Sequence, residues 1–434
     1  MQEYTNPTFK KMFLLKTILQ PIAGLCFFAA CTQPASKQQA DAFVQKDTLS
    51  PAPPVQAIST EELTRYNKAC DAFFDSLLLR RPGFNGCILV AKDGEVVYEK
   101  YAGFSNPAVH KDSLSSTSAF HLASVSKTFT AMAVMKLWEE GRLGLEDDMS
   151  KYFPKFPYPG ITVKMLLSHR SGLPNYVHYM ELHGWNKKKM VSNADVLFSL
   201  YSMHPGLEFA SGKHFSYCNT NFALLALIIE KVTGHSYADY LKQTFFTPLG
   251  MNNTYVFDLN DTASAMRSYE ANNRPFRLEY LDAVYGDKNI YSTTRDMLKW
   301  DQALYNGRLF KQATLDSAFA GYSFEKEGKR NYGLGWRMTF IDNGKKILYH
   351  NGWWHGNNNV FIRLLDEKAT IIVLGNRYNR RIYSSRALCD LFGNYRQRSN
   401  GLDETEGTGG NETVKKKKAT TTKHKAVHRK KKRK

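Results

Sequence analysis

Hydrophobic and polar positions follow two periods along this chain, and the switches between them mark its elements. Glu61–Leu79 repeats apolar residues at helical spacing behind Ser59 and Thr60, which have the chemistry of an N-cap. GCILVAKDGEVVYEKYAG, residues 86–103, reads as two strands around the turn Lys92-Asp93-Gly94. Residues 124–140 predict a helix that is apolar nearly all round (Val125, Phe129, Met132, Val134, Leu137), hence central and buried, and closed by Gly141. From 145 to 300 helix and loop dominate, including the amphipathic run Asn221–Thr233 with Gly234 as its stop. Strand patterns return from Tyr332 in YGLGWRMTF, KKILYH, NVFIRLL and ATIIVLG, and a last helix is expected over about Ser384–Phe392. One hairpin, a helical middle, an antiparallel strand run and a terminal helix predict an α+β fold. Its form is an α/β sandwich, an antiparallel sheet flanked by helices and joined by both ends of the chain, with a mainly helical subdomain.

The ends read differently. Residues 1–31 run through Lys10-Lys11 into MFLLKTILQPIAGLCFFAAC: a basic start, a short apolar stretch and small residues before a cut site, the anatomy of a secretory signal. Lys16 and Pro21 interrupt the apolar stretch, which argues against a spanning helix. Phe28-Ala29-Ala30-Cys31 resembles a bacterial lipobox, so Cys31 is the expected lipidation site. The expectation is an exported lipoprotein anchored in the cell envelope, facing the periplasm or the cell surface. Residues 32–58 are polar and Pro/Ala-rich and read as a flexible tether, 59–396 as the folded body, and 397–434 as a disordered basic tail.

Charge adds less than its total suggests. The formal net charge is +19, but 12 Lys or Arg and no acid lie between Lys415 and Lys434, which leaves +7 for the rest. The body is therefore not an obvious polyanion binder. In an exported protein the tail is expected either to stay solvated and idle or to contact anionic envelope polymers or lipid headgroups, with about 1 kcal/mol per basic residue near such a surface. Nucleic acid is not the expected partner. The six cysteines include no CxxC pair and no zinc-type spacing, so neither a disulfide scaffold nor a metal site is expected. No nucleotide site is suggested either, so no cofactor is expected.

Three short segments carry candidate chemistry. HLASVSKTFTAM places Ser124 three residues before Lys127 at the mouth of the apolar helix. Residues i and i+3 share a helix face, a helix N-terminus favours a forming alkoxide, and burial lowers a lysine's pKa, so Lys127 has the making of a neutral base for Ser124. The plain alternative is decoration at a helix start: such a pair arises by chance about once per few hundred residues. A second pair, Ser323 and Lys326, sits in the polar segment GYSFEKEGKR and reads as decoration. FSYCNTN offers Tyr217-x-Asn219 just before a helix, or else an Asn cap beside a core tyrosine. YHNGWWHGN puts His350 and Gly352 at a strand edge, where they can flank a bound chain and the small glycine lets substrate backbone approach, or else is a turn with a chance histidine. Trp353, Trp354 and His355 then wall a pocket or simply pack a strand end. His169 in LLSHRSG is expected to hold a helix end or loop by hydrogen bonds.

Taken together, HLASVSKTFTAM, PGLEFASGKHFSYCNTNFALLALIIEKVTG and YHNGWWHGN resemble the three active-site motifs of the penicillin-recognising serine hydrolases. The nearest likeness is to the class C β-lactamase-like branch, with its DD-peptidases, D-aminopeptidases and esterases. ITVKMLLSHRSGLPNY, FFTPLGMNNT and YSTTRDMLKW support it in the family's order, over about residues 60–396. The resemblance implies a β-lactamase-like fold. It implies Ser124 as the acylated nucleophile, Lys127 as its proton acceptor and Tyr217 as the proton shuttle, with the choice of resting base between Lys127 and Tyr217 left open. It implies Asn219 as the holder of the substrate's acylamido group, and an oxyanion between the N–H groups of Ser124 and Trp353. His350-x-Gly352 stands where many members have Lys-Thr-Gly. Histidine, with a reference pKa of about 6.5, anchors a substrate carboxylate less firmly than lysine. The expectation is an exported serine hydrolase working through an acyl-enzyme on an amide or ester, a D-amino-acid peptide or small ester of the envelope. The alternatives are a non-catalytic envelope-binding protein on the same fold, a true β-lactamase, or a basic surface binder for which only the tail speaks.

Overall fold

The computed structural model describes residues 57–396 apart from 306, 308, 327 and 328. The leader with Cys31, all but the last two residues of the tether, and the basic tail lie outside the described residues.

Helix α1 (Thr60–Phe74) starts at Ser59, whose hydroxyl accepts the Glu62 N–H, and runs on as a π-helical turn through Leu79. The hairpin β1 (Gly86–Lys92) and β2 (Glu95–Ala102) follows, then the short strands β3 (Phe104–Asn106), β4 (Lys111–Ser113) and β5 (Phe120–His121). A 3-10 turn, Ala123–Val125, feeds α2 (Ser126–Glu139). The helical part comprises α3 (Val163–Leu167), α4 (Tyr176–Leu182), α5 (Asn193–Met203), α6 (Asn219–Thr233) and α7 (Tyr237–Leu241). After it come β6 (Tyr255–Val256), β7 (Ile290–Ser292), α8 (Thr294–Ala303) and α9 (Gln312–Ala318). The chain closes with β8 (Ser323–Lys326), β9 (Arg330–Tyr332), β10 (Arg337–Phe340), β11 (Lys346–Trp354), β12 (Asn357–Leu364) and β13 (Ala369–Gly375).

Among the described residues eight strands form one antiparallel sheet in the order β2-β1-β13-β12-β11-β10-β9-β8, while β5, β7 and β6 make a smaller one. The central strands read as unbroken apolar runs because both faces are covered. Ile88 and Val90 of β1 and Ile371 and Val373 of β13 pack in the core shared with α1. The alternate residues, Leu89, Ile372 and Leu374, pack in the larger core around α2 and α6. This is the predicted α/β sandwich with its helical subdomain, and the sheet does join both ends of the chain.

Three local expectations are revised. Strands return at Ser323, before Tyr332, so the SFEK pair lies on edge strand β8, where the Ser323 hydroxyl donates to the Ser168 carbonyl at 2.8 Å. YGLGWRMTF is two strands, not one. Between them Gly335, with φ +83°, turns the chain against α2, where a Cβ would sit 2.1 Å from that of Ala131. The final helix spans Arg380–Leu391 and is a 3-10 helix, with Ile382, Ser385, Leu388 and Cys389 buried; the first three, spaced by three, share one face at three residues per turn.

Candidate active site

Ser124 is positioned by what precedes it. His121 pairs with Tyr291 across β5 and β7, and the Leu122 N–H donates to the Ile290 carbonyl at 2.8 Å. Ala123 then takes φ +50°, the left-handed region, and the chain enters the 3-10 turn and α2. Of residues 121–135 Ser124 alone is not fully buried, so its hydroxyl is the opening in an otherwise covered segment.

Lys127 lies one turn further on and is buried. Its Nζ is 3.1 Å from Ser124 Oγ, and it donates to Asn219 Oδ1 and to the Asp287 carbonyl, each at 2.8 Å. Burial, aided by the Arg337 charge and opposed by Asp287, brings the ammonium down to about 7. The geometry suits the free amine. Three oxygens lie within hydrogen-bond reach of Nζ; as the free amine it can donate to Asn219 and Asp287 and turn its lone pair to the serine hydroxyl.

Tyr217 reaches the same place from the segment before α6. Lys127 Nζ stands 4.9 Å from its ring centroid. Burial raises its phenol; Arg337 and the Ser124 hydroxyl favour the phenolate but do not cancel that effect. The hydroxyl is buried with no hydrogen bond of ordinary geometry among the described residues, although Ser124 is near enough to influence it. Helix α6 begins at Asn219, two residues before the expected start, with Cys218 as the capping position and no side-chain cap. Asn219 is thus not a cap. Its carbonyl holds Lys127, while its Nδ2 makes no hydrogen bond among the described residues. His169 secures this corner: its Nδ1 accepts from the Cys218 N–H at 3.2 Å, and its ring lies 4.4 Å from that of Tyr217.

The third segment arrives on β11. Strand β10 pairs with β11 only as far as Tyr349, so the edge beyond it faces the turn before Ser124. Gly352 is what allows this: a Cβ there would lie 2.2 Å from the Leu122 carbonyl and 3.3 Å from the Ala123 Cβ. The observed close approach is made by the chain's own backbone, and it sets Trp353 beside the Ser124 turn. The buried ring of His350 is fully engaged. Nδ1 donates to the Asn351 carbonyl at 2.7 Å, so Nε2 accepts from the Tyr332 hydroxyl at 3.1 Å. Burial, with Arg337 and Lys127 nearby, pushes it well below the usual histidine range, so it carries no charge near neutrality.

The site also contains residues the motifs did not point to. Arg337 of β10, paired with Glu325, stands 4.9 Å from the Tyr217 ring centroid; burial works against its charge, but Glu325 together with Tyr349, Tyr217 and Tyr332 raises the pKa. Asp287 contributes its carbonyl to Lys127, and its Oδ2 accepts from the Tyr176 hydroxyl at 3.0 Å. Neither has a spacing signature. Only DKN after the helical middle, and a basic residue on an apolar strand, mark them in the sequence.

A cavity of about 1100 Å³ is lined by His121, Tyr291, Trp354 and His355 and by the loop carrying Phe276 and Arg277; Ser124, Lys127, Tyr217, Asn219, His350 and Gly352 do not line it. Trp354 and His355 therefore wall a pocket, whereas Trp353 is not among its lining residues. Glu279, Asp282 and His355 bring their ligand atoms within 4.8 Å of one another. The Asp282 carboxylate there already accepts from Trp354 Nε1 at 2.7 Å and is 3.0 Å from His355 Nε2.

Residues 74–386 match the family described as Beta-lactamase. The chain is 35% identical over 323 residues to penicillin-binding protein 4* of Bacillus subtilis, covering 70% of this chain and 71% of that protein. It is 27% identical over 317 residues to a D-aminopeptidase of Brucella anthropi, covering 71% of this chain and 59% of that one. The crystal structure of a penicillin binding protein from Bacillus halodurans superposes with a TM-score of 0.65 at 24% identity, covering 74% of this chain and 98% of the other.

Proposed function

This chain belongs to the Beta-lactamase family, and from that premise we propose that it is a serine hydrolase that cleaves an amide or ester through an acyl-enzyme on Ser124. The observation that carries the reading is the buried Lys127 amine, brought down to about 7 and held 3.1 Å from Ser124 Oγ. Ser124 Oγ attacks the substrate carbonyl carbon while its proton passes to the Lys127 lone pair. The carbonyl oxygen becomes an oxyanion between the N–H groups of Ser124 and Trp353, where one such donor is worth roughly 3–4 kcal/mol. As the intermediate collapses, the bond to the leaving nitrogen or oxygen breaks and that atom takes the Tyr217 proton, which Lys127 replaces. Water then attacks the acyl-enzyme by the same route in reverse. Lys127 is the resting base in this scheme, because burial keeps Tyr217 a neutral phenol.

The substrate class we favour is a D-amino-acid peptide or small ester of the cell envelope. A similar protein is a D-aminopeptidase, and His350 is neutral and committed to Asn351 and Tyr332, so a substrate carboxylate meets no lysine there. Asn219 Nδ2 is free to take the substrate's acylamido carbonyl. Export through residues 1–31 with a lipid on Cys31 belongs to the same proposal, as does contact of the basic tail with anionic envelope material. A Cys31→Ser chain that still fractionates with membranes would remove the anchor. Fluorophosphonate and fluorescent penicillin should label the wild-type protein and not Ser124→Ala, with slow penicillin turnover. Labelling that survives Ser124→Ala sinks the acyl-enzyme; penicillin hydrolysis near the diffusional ceiling makes the protein a true β-lactamase instead.

A further inference from the structure

The nucleophile is preceded by a strained residue. Ala123 is not glycine, yet its φ is +50°, a region that L-residues occupy only when their surroundings enforce it. One side chain meets its amide. The Ala123 N–H points at His121 Nδ1, 3.2 Å away, and His121 Nε2 is 2.9 Å from Asn289 Oδ1. These contacts fix the tautomer. A backbone N–H can only donate, so Nδ1 is an acceptor and the ring proton sits on Nε2, donating to Asn289. Asn289 is oriented in turn, because its Nδ2 donates to the Asp282 carbonyl at 2.6 Å. The His121 carbonyl accepts from Asn359 Nδ2 at 2.9 Å, and its ring meets Tyr291 edge-on at 5.1 Å, so neither backbone nor ring can drift.

We propose that His121 is a positioning residue for the nucleophile: its neutral Nε2–H ring tethers the Ala123 N–H, keeps Ala123 left-handed, and so sets where Ser124 Oγ and the Ser124 N–H stand. The proposal rests on the acyl-enzyme reading of Ser124. Burial supports it by pushing the ring down to about 4, against the pull of Asp282, so the acceptor is present wherever Lys127 is free. The ring also lines the large cavity.

Two variants separate tethering from packing. His121→Asn keeps an acceptor near the place of Nδ1, whereas His121→Gln keeps a donor near Nε2 and loses that acceptor; both remove the ring. The full-length chain is labelled with fluorophosphonate at pH 8, and the second-order rate constant and Tm are recorded. His121→Gln should label about 10- to 100-fold more slowly, with His121→Asn within roughly threefold of wild type and both at a similar Tm. Equal labelling rates for the two variants, fast or slow, overturn the proposal. In parallel, ¹⁵N spectra of histidine-labelled wild-type protein should show the His121 proton on Nε2; a proton on Nδ1 overturns the proposal even if neither variant folds. A wild-type chain that no acylating probe labels refutes the hydrolase reading, and the spectrum still reports on the tether by itself.

Discussion

At the scale of single residues the site turns on the proton of Lys127. In the proposed acyl-enzyme scheme acylation needs the free amine, and the folded-state pKa is lowered to about 7. Labelling should therefore rise with pH and level off above about 7, rather than continuing towards the ordinary lysine range. Asp287 holds the proton on. Asp287→Asn removes that negative charge, disfavours the ammonium further, and should move the limb to lower pH. A limb that stays in place, or moves to higher pH, contradicts this electrostatic account. Ser124 and Lys127 were legible in the sequence because helix geometry makes them neighbours whatever the rest of the chain does. Asp287 was not: it meets Lys127 from 160 residues away, through a backbone carbonyl that carries no residue signature. His121 was equally hidden, since its role depends on the φ of Ala123.

At the scale of elements, helix α8 is tied to the sheet by an ion pair sealed from water. Arg363 Nε of β12 donates to Asp301 Oδ1 at 2.6 Å, the Thr370 hydroxyl of β13 donates to Asp301 Oδ2 at 2.7 Å, and both members of the pair are 0% exposed. Asp301→Ala would leave the guanidinium buried and uncompensated. The expected loss is about 3–5 kcal/mol, read by denaturant unfolding; a loss within 1 kcal/mol would mean that water reaches Arg363. Period and capping residues foretold α1 behind Ser59, the first hairpin, α2, α6 and the long strands near the end, but not the short strands or the other helices. They failed where tertiary contact decides. Gly335 splits one apolar run into β9 and β10 because α2 passes too close for a Cβ. The last helix, expected over Ser384–Phe392, starts at Arg380 and winds as a 3-10 helix.

At the scale of the whole molecule the layout was legible, because covered central strands write continuous apolar runs and a helical middle writes its own period. The sheet order was not, since nothing local says that β1 sits between β2 and β13. That placement bears on the order of events during synthesis. The first hairpin enters the main sheet only through β13, the last strand to be made, and α1 stacks Tyr66 on Phe392, in the final turn of the fold, with ring centroids 5.2 Å apart. Everything between must be translated before the opening hairpin finds its second neighbour. Until then Ile88 and Val90 have no partners across the gap, and the nascent chain carries an unpaired apolar edge. Assembly is therefore a late, long-range closure rather than a build-up from the start, and the chain stays vulnerable to aggregation until its last strand is made.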